Sequence, residues 1–174
     1  MTKDLTQGKI TPLLVKFTIP LLFGNIFQLM YNSVDSIIVG QLVGKEALAA
    51  VGTSNPLMTL AILFVNGMCI GASILMGTQY GAKKMDVLKR QISTTMIAGI
   101  VFSIEVTLFC ILFARPLLLL IRVQEEVLPL AVSYLRIVFL GFIFTFIYNF
   151  FACTLRALGD SKTPLYFLIF SSVL

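Results

Sequence analysis

A chain of 174 residues that is 58% hydrophobic and only 12% charged, with mean hydropathy +0.98, belongs in a bilayer rather than in water. Its formal charge of +5 comes without any histidine, which excludes histidine-based catalysis, imidazole metal sites and imidazole pH switching. The basic residues fall in short connections between apolar runs, so they read as topology signals and not as a nucleic-acid patch.

The segment before Lys9 is polar and is not followed by a small-residue cleavage site behind a short apolar core, which predicts an uncleaved first span. Apolar runs of about 20 residues, enough to cross ~30 Å of hydrocarbon, are predicted near residues 17–40, 55–78, 93–114 and 130–155. A fifth run starts at Pro164 and stops at Leu174, reaching only ~16 Å at ~1.5 Å per residue. The expectation is an all-α, polytopic helical bundle with four complete transmembrane helices and the start of a fifth, the front piece of a larger protein.

The first span carries Asn25, Gln28, Asn32 and Asp35 at steps of three, four and three. On a helix these share one face, with Tyr31 beside them. A carboxylate near the middle of a lipid-embedded helix costs ~2.5–3.5 kcal/mol on insertion scales, so a facing cavity or partner is expected. The ridge is either a wall of a watered pathway or hydrogen-bonding glue between helices.

In the second span Asn55, Thr59, Asn66 and Ser73 fall close to one stripe, and Gly67 and Gly71 form a small-residue pair that predicts close approach of another helix. In the third, Thr95, Gly99 and Ser103 define a small-residue face expected to pack inward. Glu105 lies about 200° around the helix from Ser103, among apolar neighbours, and is a second candidate for proton handling.

The fourth span repeats the first more weakly: Gly141, Thr145 and Asn149 are four apart, with Tyr148 adjacent, and this face is expected to look toward the cavity of Asp35. The following turn, Leu155 to Pro164, has Gly159 suited to end one helix, and Thr163 and Pro164 suited to cap and start the next. Cys69, Cys110 and Cys153 are far apart within apolar runs. They are expected to be small buried hydrophobes, with no disulfide framework and no metal site.

Nine basic residues, Lys3, Lys9, Lys16, Lys83, Lys84, Lys89, Arg90, Arg156 and Lys162, fall on one side of these spans; Lys45, Arg115, Arg122 and Arg136 fall on the other. The positive-inside rule then places the N-terminus in the cytoplasm.

Four segments taken together, Lys16 to Pro20, Asn32 to Gly40 with its Asp-Ser-Ile-Ile-Val-Gly ending, Gly77-Thr-Gln-Tyr-Gly-Ala-Lys83, and Leu155 to Pro164, resemble the multidrug and toxic compound extrusion (MATE) family. The similarity runs along essentially the whole chain and looks nearest to the bacterial DinF-like multidrug branch. It implies an antiporter of the bacterial inner membrane, built from two six-helix lobes, that exports small organic cations in exchange for H+ or Na+ and needs no cofactor. This chain would supply part of the N-terminal lobe, and the remaining helices would be its partner. The resemblance puts Asp35 at the cation-coupling position, with Na+ as a possible ligand there, and puts Gln28, Tyr31 and Asn149, beside Asn32 of the ridge, on the substrate cavity.

A lipid or polysaccharide flippase of similar plan would want several basic residues inside its cavity, and no Lys or Arg lies well inside these spans. A non-transporting membrane scaffold is the other alternative. An enzyme is disfavoured, because Asp35 and Glu105 sit on different helices with no visible nucleophile or metal set.

Overall fold

Where hydrocarbon replaces water, each backbone N–H and C=O must find its partner within the protein, and a helix achieves this within one segment. The computed structural model of the chain describes residues 10–42 and 44–173, with side chains for all of these except Ile10, Asp35, Val39, Leu42 and residues 171–173. Among the described residues the regular structure is entirely helical: α1 (Ile10–Leu42), α2 (Lys45–Gly81), α3 (Met85–Leu120), α4 (Leu128–Leu140), α5 (Phe142–Ala157) and α6 (Lys162–Val173). α1, α2 and α3 are each long and apolar enough to cross a membrane, and α4 with α5 makes a fourth candidate, bent by 45°.

The helices differ from the predicted spans in three ways. α2 starts at Lys45, ten residues before Asn55, and α1 at Ile10, ahead of Phe17; Pro56 and Pro20 lie inside them, as in the predicted spans. A proline removes one backbone donor and crowds the preceding turn, yet both helices continue past it. The fourth run is two helices, because the chain breaks at Gly141. The last helix begins at Lys162, ahead of Pro164.

Three helix ends share one hydrogen-bond pattern. At the end of α2, Lys84 N–H donates to Gln79 O and Lys83 N–H to Tyr80 O, both at 3.0 Å. After α3, Val123 N–H donates to Leu118 O (3.2 Å) and Arg122 N–H to Leu119 O (3.0 Å). After α5, Asp160 N–H donates to Leu155 O (2.9 Å) and Gly159 N–H to Arg156 O (3.0 Å). This six-to-one plus five-to-two pairing is the Schellman motif, which needs a left-handed residue at its corner. Lys83 (φ 58°), Arg122 (φ 58°) and Gly159 (φ 86°) occupy those corners.

The described residues form two compact units. One comprises residues 10–33, 68–96 and 148–173; the other comprises 34–42, 44–67 and 97–147. In the second unit Leu128, Ala131, Leu135, Phe139, Phe142 and Phe146 are all buried, a three-four spacing that persists through the break at Gly141. Val65, Ala114 and Leu118 of the same unit are also fully buried. The ring of Phe146 lies where a Cβ on Gly99 would stand, so the small-residue face of α3 is the one that admits an aromatic. Ser103, fully buried on that face, donates its hydroxyl to Gly99 O at 2.7 Å. Thr107 Oγ1 donates to Phe139 O at 3.0 Å, and Arg136 Nε donates to Ile111 O at 3.2 Å.

In the first unit the core includes Cys69, Met76, Phe150 and Cys153. Thr154 Oγ1 donates to Phe150 O at 2.8 Å and lies 3.7 Å from Met76 Sδ. Gly24 faces Leu165 of α6. Gly67 and Gly71, predicted to admit a neighbouring helix, have no atom within 4 Å of the space a Cβ would fill. The pattern of small residues marks where a helix can approach; among the described residues none does so there.

Candidate functional site

Because α1 is a single helix, Asn25, Gln28 and Asn32 share one face by spacing, with Tyr31 alongside. All four belong to the first unit and all four are exposed, Tyr31 by 52%. The neighbouring Ser33 turns its hydroxyl back to Leu29 O at 2.9 Å. The backbone of Asp35 is in α1, and its side chain lies outside the described residues.

Asn149 of α5, also in the first unit, is half-buried, beside a Tyr148 that is 41% exposed. The ridge on α1 is exposed, as are apolar residues on the other faces of that helix. Glu105 belongs to the second unit and is exposed, whereas Ser103, two residues before it, is buried; the two point to opposite sides of α3, as their spacing requires.

The turn between α5 and α6 is organised by Asp160, not by Thr163. Asp160 Oδ1 accepts from Lys162 N–H and from Thr163 N–H, both at 3.1 Å. Its Oδ2 accepts from the Thr163 hydroxyl at 2.7 Å. A short acid set back from the helix start reaches the orphan N–H groups of the first turn, so Thr163 becomes a donor to the cap instead of the cap. Burial opposes the Asp160 charge, but these three donors outweigh it and hold the carboxyl below its usual range.

Two features had no sequence signal. Cys69 and Cys153, expected to act as separate small hydrophobes, have side chains close enough to interact, and both are free thiols. Arg156 Nη2 donates to Cys153 Sγ at 3.5 Å. The spacing Cys153 to Arg156 is the one part visible in sequence, since residues three apart are neighbours on a helix. The second feature is a cavity of about 380 Å³ in the second unit, between Ala49, Thr53 and Pro56 of α2 and the turn after α3 that holds Arg122 and Gln124.

A set of long apolar helices with a polar ridge left open on the first of them defines a multi-pass α-helical membrane protein. The MatE family model matches residues 20–174, and the chain belongs to the MATE family of multidrug transporters. It is 34% identical over 171 residues to the probable multidrug resistance protein YpnP of Bacillus subtilis, covering 98% of this chain and 38% of that protein. With the probable multidrug resistance protein YoeA of the same organism it shares 37% identity over 158 residues, 91% of this chain and 34% of the relative. Among solved structures, an outward-facing multidrug resistance MATE family transporter of the MOP superfamily superposes with a TM-score of 0.88 at 25% identity, covering 100% of this chain and 39% of that one. The chain thus spans little more than a third of the length of these relatives.

Proposed function

We propose that this chain forms the leading part of the N-terminal lobe of a secondary active efflux antiporter, which exports small organic cations in exchange for H+ or Na+. In this proposal Asp35 binds the coupling cation, Gln28, Tyr31, Asn32 and Asn149 line the substrate cavity, and Glu105 is a secondary proton group. The further helices of the transporter complete the cavity, and no cofactor takes part.

The observation that supports this most is the alignment of Asn25, Gln28 and Asn32, with Tyr31 beside them, along one unbroken and otherwise apolar helix α1. A row of polar groups aligned along a helix in hydrocarbon suits a face toward a watered pathway. An anionic side chain there can hold either a small cation or a cationic drug, and mutual exclusion of the two couples their movements. The excess of basic residues on one side supports a cytoplasmic N-terminus in a bacterial inner membrane.

The test is binding of ethidium, a fluorescent organic cation, to the chain in lipid vesicles, followed by efflux once the chain is part of a complete transporter. Asp35→Asn should lose proton- or Na+-coupled efflux while the protein still inserts. Wild-type coupled efflux by that variant would refute the coupling role, and a chain that neither binds nor moves the cation would favour a membrane scaffold.

A further inference from the structure

We propose that Cys69 of α2 and Cys153 of α5 form a redox-sensitive dithiol that a peroxide closes to an intramolecular disulfide, with Arg156 as the positioning residue for the first step. The inference stands apart from the transport proposal, because it rests on residues that proposal does not use.

The two thiols are brought together by helix packing. C-terminal to the pair on both helices, α2 and α5 touch through Thr154 Oγ1 and Met76 Sδ (3.7 Å) and through Gly77, whose Cβ position lies 3.7 Å from Ala157 O. Further toward the N-terminal side the Cys69 and Cys153 side chains interact, both as free thiols. They lie in the same unit, so their proximity is a property of one packed body. Cys110 lies in the other unit.

The two sulfurs differ. The Arg156 guanidinium is anchored by Nε donating to Ala152 O at 3.0 Å, which aims Nη2 at Cys153 Sγ. A fixed cation at one sulfur stabilises negative charge on it and makes it the attacking group. Cys153 is also the less covered of the two, 7% exposed against 1% for Cys69. The same guanidinium argues against a metal at this pair, since it would repel a bound cation. Among the described residues no cluster of three or more metal-ligating side chains exists.

The chemistry balances with one peroxide. The Cys153 thiolate attacks one peroxide oxygen, the O–O bond breaks, and the departing hydroxide takes up the proton that Cys153 released, giving water and a sulfenic acid. The Cys69 sulfur then attacks the Cys153 sulfur. The S–S bond forms, the S–O bond breaks, and the oxygen leaves as a second water carrying the Cys69 proton. Two thiols and one hydrogen peroxide become one disulfide and two waters, and a dithiol reductant reverses the bond. The product ties α2 to α5.

The experiment uses the whole chain in lipid vesicles, treated with hydrogen peroxide, denatured, and labelled with a polyethylene-glycol maleimide that retards each free thiol on a gel. The untreated chain should take three labels, matching its three cysteines. The oxidised chain should take one, and dithiothreitol should restore all three. Peptide mass spectrometry should find Cys69 joined to Cys153. In Cys69→Ala, dimedone should trap a sulfenic acid at Cys153. Arg156→Gln should slow oxidation by about tenfold, the effect of about one unit of thiolate acidity, and Arg156→Lys should restore part of the rate. Three labels after peroxide, or a disulfide through Cys110, would overturn the proposal. The wild-type labelling needs no variant to fold, so it decides the matter even if the substituted chains do not.

Discussion

The ring of Phe146 occupies the space beside Gly99 that any larger side chain at that position would need. Phe146 is 1% exposed, so it has little freedom to withdraw. Gly99→Ala should therefore destabilise the chain by about 1–3 kcal/mol, the usual cost of overpacking a dense core. Thermal unfolding in detergent would measure this, and pairing the change with Phe146→Leu should recover part of the loss, because residues in contact are not additive.

Lys83 and Gly159 stand at equivalent corners of two helix ends, both with positive φ, and only one of the two corners is filled by glycine. The left-handed conformation costs an L residue about 1 kcal/mol or more, a penalty that glycine escapes. Lys83→Gly should raise stability by up to about 1 kcal/mol, and Gly159→Ala should lower it by a similar amount. Opposite shifts in the unfolding midpoint would verify the pair; shifts of the same sign would contradict it.

Asp160→Ala should cost about 0.5–2 kcal/mol, the usual value of a lost helix cap. The pH dependence follows from the carboxyl being held below its usual range by the hydroxyl and N–H groups of Thr163 and the N–H of Lys162, against burial. A group with a depressed native pKa contributes stability that is complete above its unfolded value near ~3.9 and is lost as pH falls through the lower native value. Wild-type protein should thus lose this contribution only in acid below about pH 4. Asp160→Asn should show a weaker dependence in the same window. Stability measured by denaturant titration across that range would separate the two.

Thr107→Val keeps the shape of the side chain and removes the hydroxyl that donates to Phe139 O. Side-chain hydrogen bonds between membrane helices are worth ~0.6 kcal/mol on average and up to ~1.7, so the loss should fall in that range. The bond reaches the last turn before the break at Gly141, and faster hydrogen exchange around Phe142–Thr145 in the variant would show that it steadies the bend.

The long apolar runs made a helical membrane protein legible from composition alone, since backbone groups in hydrocarbon have few ways to be satisfied. The polar ridge was equally legible, because three- and four-residue spacing places Asn25, Gln28 and Asn32 on one face of any helix. Gly159 announced its own corner by lacking a side chain.

Other features needed the packed chain. Gly67, Gly71 and Gly99 look alike in sequence, yet only Gly99 receives an aromatic ring, because which helix lies alongside is a long-range matter. Thr163 and Asp160 are both competent caps, and the path of the turn selected Asp160. The break at Gly141 was hidden inside one apolar run. Hydrophobicity and local periodicity act within a segment and were decided by the chain's own order of residues. The meeting of Cys69 with Cys153 depends on how two distant segments are laid side by side, which only the packing of side chains between helices determines.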